Sequence, residues 1–82
     1  MHKNEPEKAE KAFISSIEML RKLNNKFYLG QAVYQYGKML MEKGKRKKAI
    51  KILEEAMKIF EELDSGIWIS RTRDVMESAG IT

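Results

Sequence analysis

The sequence predicts an all-α domain of about four helices arranged as antiparallel hairpins. Its apolar residues recur at spacings of three and four, which is the pattern of amphipathic helices. Residues 9–23 (AEKAFISSIEMLRKL) also share their apolar pattern with residues 49–63 (AIKILEEAMKIFEEL), forty positions later. A repeat period of roughly 20–50 residues is typical of stacked helical units.

The first helix is expected to begin near Asn4, whose side chain can cap it. One face of this helix is apolar, so we expect that face to be buried. It consists of Ala9, Ala12, Phe13, Ser16, Ile17, Leu20 and Leu23. Asn24 and Asn25 then interrupt the pattern, which predicts a turn and a second N-cap.

The second helix is predicted at Lys26–Glu42. Ala32 and Gly37 are small residues beside its apolar stripe, where another helix can approach closely. Gly44 is expected to end the helix, because glycine readily adopts the backbone conformation found there. The apolar stripe consists of Leu29, Val33, Tyr36 and Leu40.

The third helix is predicted at residues 45–63, and its apolar arc is wide enough to contact more than one neighbour. On its exposed side, Lys51 can pair with Glu55 and Lys58 with Glu62, at about 0.2–0.5 kcal/mol for each pair. The apolar arc consists of Ala49, Ile52, Leu53, Ala56, Met57, Ile59, Phe60 and Leu63.

The fourth helix is expected to follow a cap at Asp64 or Ser65 and to end near Gly80. Its apolar positions are Trp68, Thr72, Val75, Met76 and Ala79. Because all the predicted connections are short, neighbouring helices should pack in antiparallel pairs.

Three small residues, Gly37, Ala49 and Ala56, are separated by twelve and then seven positions. This spacing resembles the tetratricopeptide repeat (TPR), in which small residues allow close helix crossings. The resemblance implies a single domain over residues 1–82, with one full repeat at about 30–63 and a half-repeat on each side. The sequence departs from the family pattern at Val33 and Glu61, where the family often has tryptophan and proline.

This phasing leaves a helix without its hairpin partner at each end of the domain. Repeat arrays usually need polar terminal helices to remain soluble. We therefore expect two or more chains to associate through the terminal helices, most simply as a homodimer. The alternative is a compact four-helix monomer with sufficiently polar ends.

The resemblance also implies a protein or peptide partner, held in a groove lined by the first helix of each hairpin. A tyrosine, two amides and a lysine on one helical face suit an extended peptide or a helix. The implied binding residues are Gln31, Tyr34, Gln35, Lys38, Met41, Glu42 and Arg71, with Asp74 and Ser78 beside Arg71.

A dense run of cations precedes and opens the third helix. It consists of Lys43, Lys45, Arg46, Lys47 and Lys48. Cations in the first turn of a helix oppose its dipole, at a cost of about 0.3–1 kcal/mol each. The run is either a solubilising turn or a contact for an acidic partner, and the alternative function is nucleic-acid binding. No aromatic residue is interleaved with it, which argues against readers of single strands and makes nucleic acid the less expected partner.

No catalytic function, cofactor or metal is expected. The chain has no cysteine, and its single histidine is His2, near the terminus. No apolar run reaches the roughly 20 residues that span a membrane, and the absence of cysteine fits a reducing compartment, so a cytoplasmic location is expected. A three-helix bundle similar to microtubule-interacting-and-trafficking domains is an alternative fold, although it leaves the forty-residue repeat unexplained.

Overall fold

The computed structural model describes residues 5–78, with side chains from residue 8 onward. This part of the chain is all-helical, which confirms the predicted fold class and gives four helices rather than three. The helices are α1 at Glu5–Lys22, α2 at Lys26–Glu42, α3 at Arg46–Glu62 and α4 at Gly66–Ser78. The expected cap at Asn4 and helix end at Gly80 lie outside the described residues. Within residues 5–78, no helix is both long and apolar enough to cross a bilayer.

The three turns between the helices share one conformation. Their central residues have a left-handed backbone, with φ of 58° at Asn24, 81° at Gly44 and 55° at Asp64. The amide after each central residue donates to a carbonyl five positions back: Asn25 to Leu20 at 3.2 Å, Lys45 to Leu40 at 2.9 Å and Ser65 to Phe60 at 3.0 Å. These are Schellman turns, which satisfy the last carbonyls of each helix. They recur every twenty residues, so the forty-residue repeat is a pair of helices.

The predicted N-cap of α2 is confirmed, because the Asn25 side chain accepts the Tyr28 amide at 3.4 Å. For α4, the two candidate caps have different positions. Asp64 is the central residue of the turn, and Ser65 directly precedes the helix, where its carbonyl accepts the Ile69 amide at 3.0 Å.

The α2–α3 hairpin forms the centre of the core. The predicted stripe of α2 is buried, and so are Ala49, Leu53, Ala56, Ile59 and Phe60 of α3. The two helices approach closely because Gly30 and Gly37 have no side chain. A Cβ at Gly37 would lie 2.7 Å from the Leu53 side chain, and one at Gly30 would lie 2.6 Å from the Phe60 ring.

The apolar face of α1 is only partly buried, contrary to expectation. Ile17 is buried, whereas Ala12, Ser16 and Leu23 are exposed. The reason is that α1 packs on α2 along one edge of its stripe and no described element covers the other edge.

Helix α4 packs on α3 through aromatic contacts, with the Trp68 and Phe60 rings stacked at a centroid distance of 5.3 Å. Thr72 is fully buried, and its hydroxyl donates to the Trp68 carbonyl at 2.8 Å.

Two glutamates of α3 form ion pairs with neighbouring helices. Glu55 accepts from Arg21 of α1, and Glu62 accepts from Lys26 of α2 at 3.1 Å. We expected both glutamates to pair with lysines within α3. Exposed pairs contribute little individually, about 0–1 kcal/mol, but these two link separate helices.

Gly37→Ala should lower the free energy of unfolding by about 1–3 kcal/mol, because the added methyl group overlaps the fully buried Leu53 side chain. The matched control is Gly66→Ala. A Cβ at Gly66 meets nothing within 4 Å, so this change should be neutral or stabilise the fold by up to about 1 kcal/mol. Urea denaturation monitored by circular dichroism measures both effects. Equal midpoints for the two variants would contradict the close crossing.

Candidate functional site

Tyr34 was expected to be exposed in a groove, but it is buried, with 7% of its surface accessible. Its ring lies at an interplanar angle of 76° to the ring of Trp68 from α4, with a centroid distance of 5.5 Å. Aromatic packing between α2 and α4 therefore occupies the surface where a ligand was expected. Arg71 belongs to the same cluster, since its guanidinium carbon lies 5.2 Å from the centre of the Trp68 ring.

Three of the other expected residues lie together on the part of α2 that is next to α1. Gln35, Lys38 and Glu42 are exposed there, whereas Gln31 and Met41 are half-buried. The three exposed residues line a shallow groove of about 320 Å³ between α2 and α1. The remaining lining residues are Ala9, Phe13 and Met39.

A second shallow hollow of about 310 Å³ lies on α1 itself. It shares Ala9 and Phe13 with the first groove and adds Ala12 and Ser16. The two hollows thus form one continuous surface. We call its part on α1 the α1 outer face, which consists of Ala9, Ala12, Phe13 and Ser16 together with the exposed Met19. All the predicted ligand-binding residues lie on α2 and α4. None lies on α1, although the exposed apolar stripe of α1 repeats the stripe of α3.

The cations of the basic run are all exposed, but two of them have a partner on α1. Lys48 Nζ donates to Glu10 Oε2 at 2.9 Å, and Lys45 Nζ lies 4.0 Å from Glu10 Oε1. The Tyr36 hydroxyl also donates to Glu10 Oε2, at 2.7 Å. Glu10, Tyr36 and Lys48 therefore connect three helices.

The charges in this cluster stabilise one another. Hydrogen bonds from Lys48 and Tyr36 lower the pKa of Glu10 from 4.5 to about 2. The hydrogen bond to Glu10 raises the pKa of Lys48, while desolvation and then Glu10 raise the pKa of Tyr36. No local sequence pattern predicts this cluster, because 38 positions separate Glu10 from Lys48.

The basic run and most of the exposed large apolar side chains lie at opposite ends of the bundle. Antiparallel helices place the turn at Gly44 at one end, with the basic run, and the turns at Asn24 and Asp64 at the other. The second end exposes large apolar side chains. They are Met19, Leu23, Phe27, Tyr28, Leu63 and Ile67.

Comparisons with protein-family models, with curated proteins and with solved structures gave no match to this chain.

Glu10→Gln should lower the urea midpoint at pH 7, because it removes the charge that Lys48 and Tyr36 stabilise. The pKa of Glu10 falls on folding, so its contribution is complete above about pH 4.5 and is lost as the pH falls toward 2. The difference from the wild type should shrink over that range. Glu18→Gln, at an exposed position of the same helix, is the control and should show a smaller difference. A pH-independent difference for Glu10→Gln would contradict the ionic role.

Proposed function

We propose that the chain is a non-catalytic protein–protein interaction module of the TPR type, which binds a peptide or helix between α1 and α2. The observation that supports this proposal is the groove with an apolar floor at Ala9 and Phe13 and a polar rim at Gln35, Lys38 and Glu42. Apolar contacts supply affinity in such a groove, and the rim residues supply orientation.

The shape of the groove favours a peptide or helix over a small molecule. Along α2 it extends from Gln35 to Glu42, two helical turns or about 10 Å. The hollow on α1 continues it as far as Ser16. A surface that runs along two helices matches the recognition mode in which an amphipathic helix lies in a groove.

Self-association through the terminal helices has support at one end only. The outer face of α1 exposes Ala12 and Met19, whereas beyond Ile67 every exposed position of α4 within the described residues is polar. The exposed polar positions of α4 are Ser70, Arg71, Arg73, Asp74, Glu77 and Ser78. Any homodimer is therefore proposed to form through α1.

We also propose a cytoplasmic location, because a chain without cysteine is compatible with a reducing compartment.

The alternative, nucleic-acid binding, has less support because Lys45 and Lys48 already contact Glu10. We expect affinity for duplex DNA no tighter than the roughly 10⁻⁴–10⁻⁶ M of non-specific binding at physiological salt. Fluorescence anisotropy with a labelled duplex at several salt concentrations measures it. Arg46→Gln with Lys47→Gln is the neutralising control. Nanomolar affinity that this control abolishes would favour the alternative over our proposal.

A phage-displayed library of amphipathic helical peptides, selected on the intact chain, should yield binders that contact the groove. In ¹⁵N–¹H spectra, the selected peptides should shift the amides of Phe13, Lys38 and Glu42. Ala12→Glu should abolish binding because it places a charge in the apolar hollow on α1 that continues the groove, whereas Ser70→Glu on α4 should leave binding unchanged. The proposal would be wrong if no peptide were enriched, or if the shifts mapped to α3 and α4.

A further inference from the structure

The two turns at one end of the bundle carry similar apolar residues and opposite charges. Residues 21–28 (RKLNNKFY) contain three cations and no acid, whereas residues 61–68 (EELDSGIW), forty positions later, contain three acids and no cation. We call the two segments together the apolar end, with residues 21–28 as its basic half and residues 61–68 as its acidic half. Charge is therefore reversed between two equivalent parts of the repeat.

The exposed apolar residues of the two halves match position by position. Leu23 is equivalent to Leu63, and Phe27 is equivalent to Ile67. The exposed fractions of these four side chains lie between 37% and 69%. The exposed ring of Tyr28 lies 5.6 Å from the Phe27 ring, measured between centroids. Exposed apolar side chains that lie together in this way mark an interaction surface.

An ion pair shows that the two halves lie side by side. Lys26 Nζ of the basic half lies 3.1 Å from Glu62 Oε1 of the acidic half. Lys26 directly precedes Phe27, and Glu62 directly precedes Leu63. The pair therefore brings the apolar residues of both halves into one patch.

Exposed charges of both signs flank this patch. Lys22 belongs to the last turn of α1, Glu61 belongs to the last turn of α3, and Asp64 lies in the turn that follows α3. An anionic membrane would attract the basic half and repel the acidic half, so a lipid surface fits poorly. A partner that fits both halves must present an acidic region and a basic region beside apolar residues.

A second copy of the chain meets this requirement. A two-fold axis through the apolar end can place each half on its own equivalent, so that Lys22 faces Lys22 of the second copy. It can also place each half on the opposite half, so that Lys22 faces Glu61 of the second copy and Leu23 faces Leu63 of the second copy. Every contact then occurs twice. Opposite charges fix the orientation of partners at an interface, so charge selects the second arrangement.

We propose that the apolar end binds the apolar end of a second copy, with the basic half of each chain on the acidic half of the other. This inference rests on the homodimer that the proposed function includes, and it identifies the surface of contact. Helix α1 takes part through its last turn, which carries Arg21 and Lys22. The groove between α1 and α2 lies outside this contact and remains available to a peptide.

The test uses two chains with one reversed charge each. Lys22→Glu alone and Glu61→Lys alone should each weaken the dimer about tenfold or more, because two attractions in the dimer become repulsions. An equimolar mixture of the two variants should restore association, since every facing pair then has opposite signs. Sedimentation velocity over a concentration series measures the affinities, and circular dichroism checks that each variant is folded.

The apolar contribution has a matched control on α1. Ile67→Ser should also weaken the dimer, because it removes an exposed apolar side chain of the acidic half. Ile14→Ser should leave the dimer unchanged, since Ile14 is exposed outside the apolar end. High salt should weaken the wild-type dimer, because exposed charges are screened.

Three outcomes would overturn the inference. They are a chain that remains monomeric at millimolar concentration, a mixture of the two charge variants that does not associate, and a dimer that Ala12→Glu dissociates. In the last case the second copy would occupy the α1 outer face instead. Binding of a monomeric chain to phosphatidylserine vesicles, abolished by Ile67→Ser, would also overturn it in favour of a lipid surface. If library peptides still bind the groove, the proposed function survives that failure, whereas loss of both overturns the function as well.

Discussion

The close crossing of α2 and α3 at Gly30 and Gly37 is the constraint on which the remaining structure depends. Leu53 and Phe60 fill the space that two side chains on α2 would otherwise occupy, and both are fully buried as a result. Packing at this density leaves no room for a Cβ, because buried neighbours cannot move aside without opening voids elsewhere. Helices α1 and α4 then pack on this hairpin, α1 through α2 and α4 through Trp68 on Phe60.

The basic run has a partly structural explanation. Cations in the first turn of α3 oppose its dipole, which made their presence unexpected. Glu10 compensates two of them, Lys45 and Lys48, and Tyr36 holds its carboxylate in place. The cluster attaches α1 to both helices of the central hairpin, at the end away from Met19, Leu23, Phe27, Tyr28, Leu63 and Ile67. Two of the run's five cations thus contact α1, and the others remain at the surface.

The sequence was sufficient to predict features that depend on local chemistry. The bounds of α2 follow from a capping asparagine and a turn glycine, and the buried stripes follow from helical periodicity. Features that depend on which helix covers another were not predictable in this way. Tyr34 is buried because Trp68, 34 positions later, covers it, and three of the seven residues of the α1 stripe are exposed because no described residue covers them. The same applies to Glu10, whose partners lie on two other helices.

The two ends of the array differ in the residues that stand at matching positions of the repeat. In α4, Trp68, Thr72 and Met76 stand at the positions of α2 residues that face the preceding helix. All three are buried or half-buried. Where α2 has the two glycines at which α3 approaches closely, α4 has Ser70 and Glu77, and both are exposed. Helix α1 shows the opposite. Its outer face has small and apolar residues at the positions where α3 contacts α2. The small residues of α1 allow another helix to approach closely. A helix that packed at Glu77 of α4 would bury a charge without a partner. A further helix can therefore pack on the apolar stripe of α1, whereas the exposed polar side of α4 is suited to contact with solvent.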